Sequence, residues 1–367
     1  MVNRITTSGK YGQLVLDMQK NLFNFNKLTQ QIASGSKLTS ITDDPIASVN
    51  VLNTNRQLGQ IETFEQNVGM AKAELSALDD LMELATGYLS QTWDKAVQAN
   101  QQTYGENSLK ALKTEIDENI RTMVDLANTE YNGNYIFGGA NTQIIPYEIQ
   151  ENGDIIYRGT PNSNPDYIRQ TEVADGVFEV INTTGDKVFG YYKAQAQDKD
   201  GNNLFTDADG RVVVENAADG SLTYQDDGTA FAGDKADLSA KEEYSGAMGA
   251  MKKLSNSIQK VLDGLENGDD DMVRAGYEEM NSTLDMFSDS HNTIVTEQTK
   301  FGGVYNRMEM TTSTLETNNE NLTAYLQQVQ EVDLPSAISK WVQAQYAYQA
   351  SLQVSSASMN MSLLNYL

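Results

Sequence analysis

The sequence predicts a mainly α protein with a β-rich insert. The expected architecture is a long up-and-down helical hairpin or coiled-coil bundle, with paired N- and C-terminal helices and an outer β domain. Three observations predict it. Apolar residues recur at steps of three and four over long stretches towards both ends of the 367-residue chain. The middle changes to short β-branched and aromatic runs punctuated by Gly, Asn and Asp. The last 27 residues, Trp341 to Leu367, carry no charged side chain in a chain of formal net charge −25. Seams of similar character at both ends fold back on one another most simply with the termini side by side and the β region at the far end.

The first helix is read from Tyr11, Leu14, Val15, Met18, Leu22, Phe25, Leu28 and Ile32, an amphipathic pattern over residues 10–34. Up to Thr42 this end holds five basic residues and one acid, Asp17, and is mildly positive in an acidic chain. Gly35 breaks the pattern. Asp43 and Asp44 then precede Pro45, an Asp cap with proline at the first helical position, which reads as a helix start. Neither carboxylate has a nucleophile or further ligands beside it, so capping rather than metal or acid–base chemistry is expected of them.

Ile61, Phe64, Val68, Ala71, Leu75, Leu78, Met82, Ala85 and Leu89 alternate steps of three and four, a heptad seam over four repeats. After an interruption at Thr103-Tyr104-Gly105, a second seam runs through Leu109, Leu112, Ile116, Ile120, Met123 and Ala127. From Tyr131 the composition turns to Gly, Asn and aromatics. IIYRG, VFEVI and KVFGYY read as strands, and the pattern continues more weakly to Tyr244. Residues 151–245 hold 19 acids against 8 bases. The turns Asp198-Lys-Asp200-Gly and Asp207-Ala-Asp209-Gly lack the register of a calcium loop and are expected to be ordinary hairpin turns.

Helix resumes near Tyr244 with Met251, Leu254, Ile258, Val261 and Leu265. GLENGDDD makes a turn, and Val273, Tyr277, Met280, Leu284, Phe287, His291, Ile294, Gln298 and Phe301 begin a second long seam. His291, the only histidine, sits in it as a polar interruption. Tyr305, Met308, Leu315, Leu322 and Val329 carry the seam on, with Thr312 and Asn319 in it. Asp333 and Pro335 suit a cap and a first turn. Leu334, Ile338, Trp341, Tyr348, Leu352, Met359 and Leu363 then fall on one stripe, with Ala337, Ala344, Val354, Ala357, Met361 and Leu364 on another. Apolar groups on several faces ask for neighbours on several sides. Eleven Gln, Ser and Asn among the last 27 residues argue that these neighbours are protein and not lipid.

The excess of 51 acids over 26 bases argues against a nucleic-acid footprint and against docking on anionic lipid. The first residues show no secretory signal pattern, no run is apolar enough to insert in a membrane, and there is no cysteine. Carboxylates such as Asp207, Asp209, Asp226 and Asp227 are the only material for an enzyme cleft, and no nucleophile, phosphate loop or metal constellation accompanies them.

MVNRITTS with ASGSKLTSITDDPIASV resembles the N-terminal signature of the flagellin-like axial proteins of the bacterial flagellum. ANTEYNGNYIFGGANTQIIPY, IIYRGT, GDKVFG, FGGVYNRME and the ending from VQEVDLPSAISKW to SLLNYL resemble that family's hook-associated members at the hook–filament junction. Flagellins typically read Asp-Asp-Ala-Ala-Gly where this chain reads Asp43-Asp44-Pro45-Ile46-Ala47, and they end in an Asn-Gln-x-Pro-Gln stretch that is absent here. The resemblance implies a structural, non-catalytic part with no cofactor, exported unfolded by the flagellar type III apparatus. Its implied partners are hook-associated protein 1, flagellin, copies of itself in a ring and a cytoplasmic export chaperone, with no nucleic acid and no membrane insertion. A filament subunit or a surface-exposed adhesin is the alternative.

It also implies a domain division. Residues 1–44 and 333–367 would form an inner polymerisation domain, 45–135 and 245–332 a helical domain, and 136–244 an outer β domain. Polymer-interface candidates are Leu14, Met18, Leu22, Phe25, Leu334, Ile338, Trp341, Tyr348, Leu352, Met359, Leu363 and Leu364. Residues 1–40 and 334–367 are expected to be disordered in the free monomer, since their apolar faces lack a large enough intramolecular cover.

Overall fold

The computed structural model describes residues 7–100, 104–207 and 209–364; side chains of residues 7, 8, 10, 11 and 358–364 fall outside the description. Seven helices, α1 Thr7–Ser34, α2 Pro45–Ala99, α3 Glu106–Ala127, α4 Gly185–Val188, α5 Gly246–Asn267, α6 Asp270–Gln330 and α7 Leu334–Leu364, frame twelve short strands among these residues. The strands are β1 Glu130–Tyr131, β2 Asn134–Tyr135, β3 Tyr147–Ile149, β4 Ile155–Tyr157, β5 Gln170–Ala174, β6 Val177–Val180, β7 Tyr191–Lys193, β8 Asn203–Thr206, β9 Val212–Glu215, β10 Leu222–Tyr224, β11 Ser239–Ala240 and β12 Glu243–Ser245. The chain divides into two compact units, residues 1–64 with 313–367 and residues 65–312.

In the second unit, α2, α3, α5 and α6 form a bundle built on the heptad seams. Leu75, Leu78, Met82 and Leu89 of α2 are buried with Leu109, Ile116 and Met123 of α3, Met251, Leu254 and Ile258 of α5, and Phe287, Ile294 and Phe301 of α6. Each such side chain contributes about 1.5–3 kcal/mol on leaving water. Polar pairs flank the seams: Lys95 with Glu115 and Asn119 with Thr92 between α2 and α3, Ser255 with Asp117 between α5 and α3, and Asn100, just past the end of α2, with Asn281 of α6. Leu265 departs from expectation. It is exposed, and Leu262 takes the buried place, because a 3.6-residue helix drifts off a 3.5-residue repeat.

The strands begin at Glu130, one residue before the change of composition at Tyr131. Strands β12, β7, β4 and β3 make one antiparallel sheet in that order, and β10, β9, β8 and β11 make another. The first sheet packs on α5 over an aromatic cluster. Phe137 meets Phe189 edge-on at 4.7 Å, and the buried Tyr147 donates its hydroxyl to the Gly190 carbonyl at 2.8 Å. The β5–β6 hairpin is tied to two helices of the bundle. Arg169 pairs with Glu74 of α2, and Glu179 pairs with Arg307 of α6 through two bonds of 2.7 Å. The Arg307 guanidinium holds the Glu179 carboxyl below its ordinary range.

The Asp-Gly segments are turns whose carboxylates serve their own backbone. Asp198 accepts from the amides of Asp200 and Asn202, and Asp207 from those of Asp209 and Arg211. His291 lies half-buried on α6 between the buried Phe287 and Ile294.

Candidate assembly surface

In the first unit α1 and α7 pack against each other. They run antiparallel, because partner numbers fall along α7 as they rise along α1. Asn21 donates to the Ala347 carbonyl at 3.5 Å, Phe25 stacks on Tyr348 at 6.4 Å and 13° and meets Trp341 at 5.5 Å, and Thr29 accepts from the Trp341 indole N–H at 2.8 Å. Ala337 is buried.

The loop after α1 fixes the other end of this pair. Gly35 takes φ +68°, the left-handed conformation that ends a helix at little steric cost. Ser36 then bridges to Glu331, Lys37 N–H donates to the Gln330 carbonyl at 2.7 Å, and Val332 N–H returns to the Gly35 carbonyl at 2.9 Å. So the α1–α2 connection is laced to the α6–α7 connection by backbone bonds that no local pattern announces.

The two aspartates separate in role. Asp44 is the cap: one oxygen accepts from the amides of Ile46 and Ala47 at 3.1 and 3.0 Å, and Pro45 opens α2. Asp43 does not cap the helix. It accepts from Lys27 Nζ at 2.7 Å, the Thr39 hydroxyl at 2.7 Å, and the amides of Thr39 and Ser40. The Lys27 bond first, and then the Thr39 hydroxyl, hold its carboxyl far below the usual carboxylate range. Asp333 caps α7 weakly, accepting from Ser336 N–H at 3.4 Å.

The predicted interface residues divide. Leu14, Met18, Phe25, Trp341 and Tyr348 are half-buried in or beside the seam. Leu22, Leu334, Ile338 and Leu352 are exposed. The side chains of Met359, Leu363 and Leu364 lie outside the described residues. Sequence reasoning missed Leu16, Phe23 and Tyr346, which lie off the counted stripes and expose 60%, 66% and 67% of their surface. The signal was present as large apolar residues outside the seam.

Charge is unevenly distributed. Residues 1–64 and 313–367 hold seven basic and eight acidic side chains, so −24 of the net −25 belongs to residues 65–312. Copies brought together through the first unit meet little like-charge repulsion there. The carboxylates Asp226 and Asp227 both bind Arg211, whose guanidinium lies 3.7 Å over the Tyr224 ring, and Tyr224 donates to Asp207. Among the described residues no group of His, Asp and Glu is placed to hold a metal ion, and no helix is long and apolar enough to cross a membrane.

A paired set of terminal helices, with large apolar side chains left exposed and a heptad bundle in the same chain, defines a class of long helical proteins with a β-rich insert. Residues 5–142 match the bacterial flagellin N-terminal helical region, and residues 284–367 match the bacterial flagellin C-terminal helical region, together more than half of the chain. The chain belongs to the flagellin family of flagellar proteins. It is 24% identical over 289 residues to flagellar hook-associated protein 3 of Escherichia coli K12, covering 77% of this chain and 88% of that one. A flagellin of Clostridium tyrobutyricum is 20% identical over 352 residues, 89% of this chain and 90% of that one. The crystal structure of the flagellar junction protein FlgL from Legionella pneumophila shares the fold, with TM-score 0.51 and 18% identity over 78% of this chain and all of that one.

Proposed function

We propose that this chain is a structural axial component of the bacterial flagellum, an adaptor that joins the layer of hook-associated protein 1 to the flagellin filament. The observation that carries the reading is the α1–α7 pair: a near-neutral helical unit with Leu16, Phe23, Leu334, Ile338, Tyr346 and Leu352 left in water. Exposed apolar surface of this extent marks an interaction site. Copies in a ring, with hook-associated protein 1 below and flagellin above, supply the missing cover. The terminal segments 1–44 and 333–367 act as the inner polymerising domain, 45–135 with 245–332 as the helical domain, and 136–244 as the outer β domain. The subunit works outside the cell after type III export, held by a chaperone in the cytoplasm beforehand. The kinship with hook-associated protein 3 supports the adaptor role over that of filament subunit, as do Pro45 and Ile46 within the Asp-Asp motif.

Deletion of the gene tests this. Finished hooks without filaments, and flagellin lost to the medium, are the expected result by electron microscopy and immunoblot. Normal filaments would refute the adaptor role and leave the filament-subunit or surface-adhesin reading.

A further inference from the structure

The first turns of α2 leave large apolar side chains in water. Ser48 and Thr54 are buried, at 8% and 4% exposure, while Ile46, Val49 and Leu52 stand at 77%, 53% and 62% in water. These three recur at i, i+3 and i+6, so they share the outward side of the helix, and Ile41 in the preceding loop is exposed as well. Ala47, Val51 and Leu58 are half-buried on the inward side with Ser48 and Thr54, so the outward stripe is apolar surface in excess of what the chain itself covers, and such a stripe marks an interaction surface. Arg56, at i+10 from Ile46, lies in line with the stripe and is exposed. It is the only basic residue between Lys37 and the end of the α2 segment of this unit.

The complementary surface is in the same unit. From residue 313 to 333 the chain carries Glu316, Glu320, Glu331 and Asp333 and no basic residue. Glu316 and Glu320, four apart, are exposed on one side of α6. A surface with an apolar stripe ending in a cation, and another with paired carboxylates, suits head-to-tail contact between identical copies, the arrangement that closes into a ring.

We propose that the Ile46–Val49–Leu52 stripe of α2 seats the α6 segment around Glu316 and Glu320 of a second copy of this chain, with Arg56 facing those carboxylates. This rests on the reading of the chain as a ring-forming axial subunit and names the surface through which the ring closes. The buried anchor is the apolar stripe; Arg56 and the glutamates set register and partner choice.

The chain contains no cysteine, so disulfide trapping has no background from it. Cells lacking the native gene co-express Leu52→Cys and Glu320→Cys chains carrying different epitope tags, and sheared flagella are oxidised and immunoblotted for both tags. The expected result is a dimer bearing both tags. Its yield should fall about ten-fold when Arg56→Glu is added to the first chain, and return when Glu316→Arg is added to the second. All four positions are exposed, and unchanged thermal melting of each purified variant confirms folding. If the chain is present in the flagella but no two-tag dimer forms, the proposed surface is wrong and the axial reading stands. If the chain is absent from the flagella, the axial reading and this surface fail together.

Discussion

Trp341 of α7 donates its indole N–H to the hydroxyl of Thr29 on α1 at 2.8 Å, and its ring lies 5.5 Å from Phe25. The α1–α7 seam is built from half-buried side chains, Leu14, Met18, Leu28, Ile32 and Tyr348 beside this pair, with Ala337 fully buried and Leu16, Phe23, Leu334, Ile338, Tyr346 and Leu352 facing water. Such a seam opens at low free energy, because few of its side chains are fully buried to oppose the entropy of the two helices.

The first prediction concerns that seam. In the free chain, amide exchange in α1 and α7 should be far faster than in α3 and α5, whose seams are fully buried. Phe25→Ala should remove about 1–3 kcal/mol from the pairing, below the 3–5 kcal/mol of a fully buried phenylalanine because this one is half-buried. The fluorescence of Trp341, measured in a Trp93→Phe background, should shift to the red while bundle melting stays constant. Protection in α7 equal to that in α5 would contradict the seam's marginal stability.

The second prediction is a pH dependence at the loop after α1. Asp43 has a folded-state pKa below its unfolded value, so its bonds to Lys27, Thr39 and Ser40 stabilise the loop above about pH 4, the ordinary carboxylate range. That stabilisation is lost as pH falls below this range towards the depressed folded value. The Thr39 and Ser40 amide signals should therefore hold their native positions to lower pH than those around an ordinary exposed aspartate. Asp43→Asn should move them at every pH, and Asp44→Ala should leave them in place while fraying the first turn of α2, since it removes the oxygen that accepts from the Ile46 and Ala47 amides. Titration of the Thr39 and Ser40 amide signals within the ordinary carboxylate range would exclude this role for Asp43.

Much of this was legible in the sequence where one residue's neighbours lie within a turn or two. The heptad positions Val68 to Leu89 and Leu109 to Ala127 are buried as their spacing requires. Pro45 and Gly35 mark a helix start and stop by backbone chemistry alone. The terminal stripes were legible in composition but not in partition, since which of Leu22, Phe25 and Phe23 faces α7 depends on the crossing of two helices more than 300 residues apart. Asp43 and Asp44 look alike in sequence and differ because only Asp43 meets Lys27. Glu297 gave no signal at all. It sits beside the seam residue Gln298, and its partners Lys187 and Thr183 lie over 100 residues away.

Glu297 carries the third prediction. Its side chain is 4% exposed, and it accepts from Lys187 of α4 at 2.6 Å and from the Thr183 hydroxyl at 3.2 Å, with Lys300 at 3.6 Å. The partner Lys187 keeps about a third of its side chain in water. Removing the lysine leaves a desolvated carboxylate; removing the glutamate leaves a cation that can reach solvent. Lys187→Met should therefore destabilise the unit by about 2–3 kcal/mol, and Glu297→Gln by about half as much. Urea unfolding of the two variants decides it, and the reverse order would mean that Lys300 already satisfies Glu297.

The last prediction concerns the joint between the first sheet and α5. Gly190, just before β7, has φ +74°, and its carbonyl accepts the Tyr147 hydroxyl. A Cβ there would lie 1.8 Å from the Ser245 carbonyl oxygen and 2.6 Å from the Gly246 Cα, backbone atoms on the last residue of β12 and the first of α5. Nothing flexible can yield, so Gly190→Ala must separate β7 from the start of α5. It also displaces the ring of Tyr147 from its cluster with Phe189 and Tyr157. Gly176, in the β5–β6 turn, provides the control: its φ is +69°, but no atom lies within 4 Å of a Cβ. Gly176→Ala should therefore lose only the left-handed conformational term, about 1–2 kcal/mol. Gly190→Ala should lose well over about 3 kcal/mol, enough to leave residues 65–312 without a cooperative melt. Calorimetry of the two variants separates the contributions, because they share the backbone conformation and differ only in the space around the added methyl group. Equal losses would show that the sheet and α5 part easily at this joint, and that the close approach of Gly190 to Gly246 does not hold the β region to the bundle.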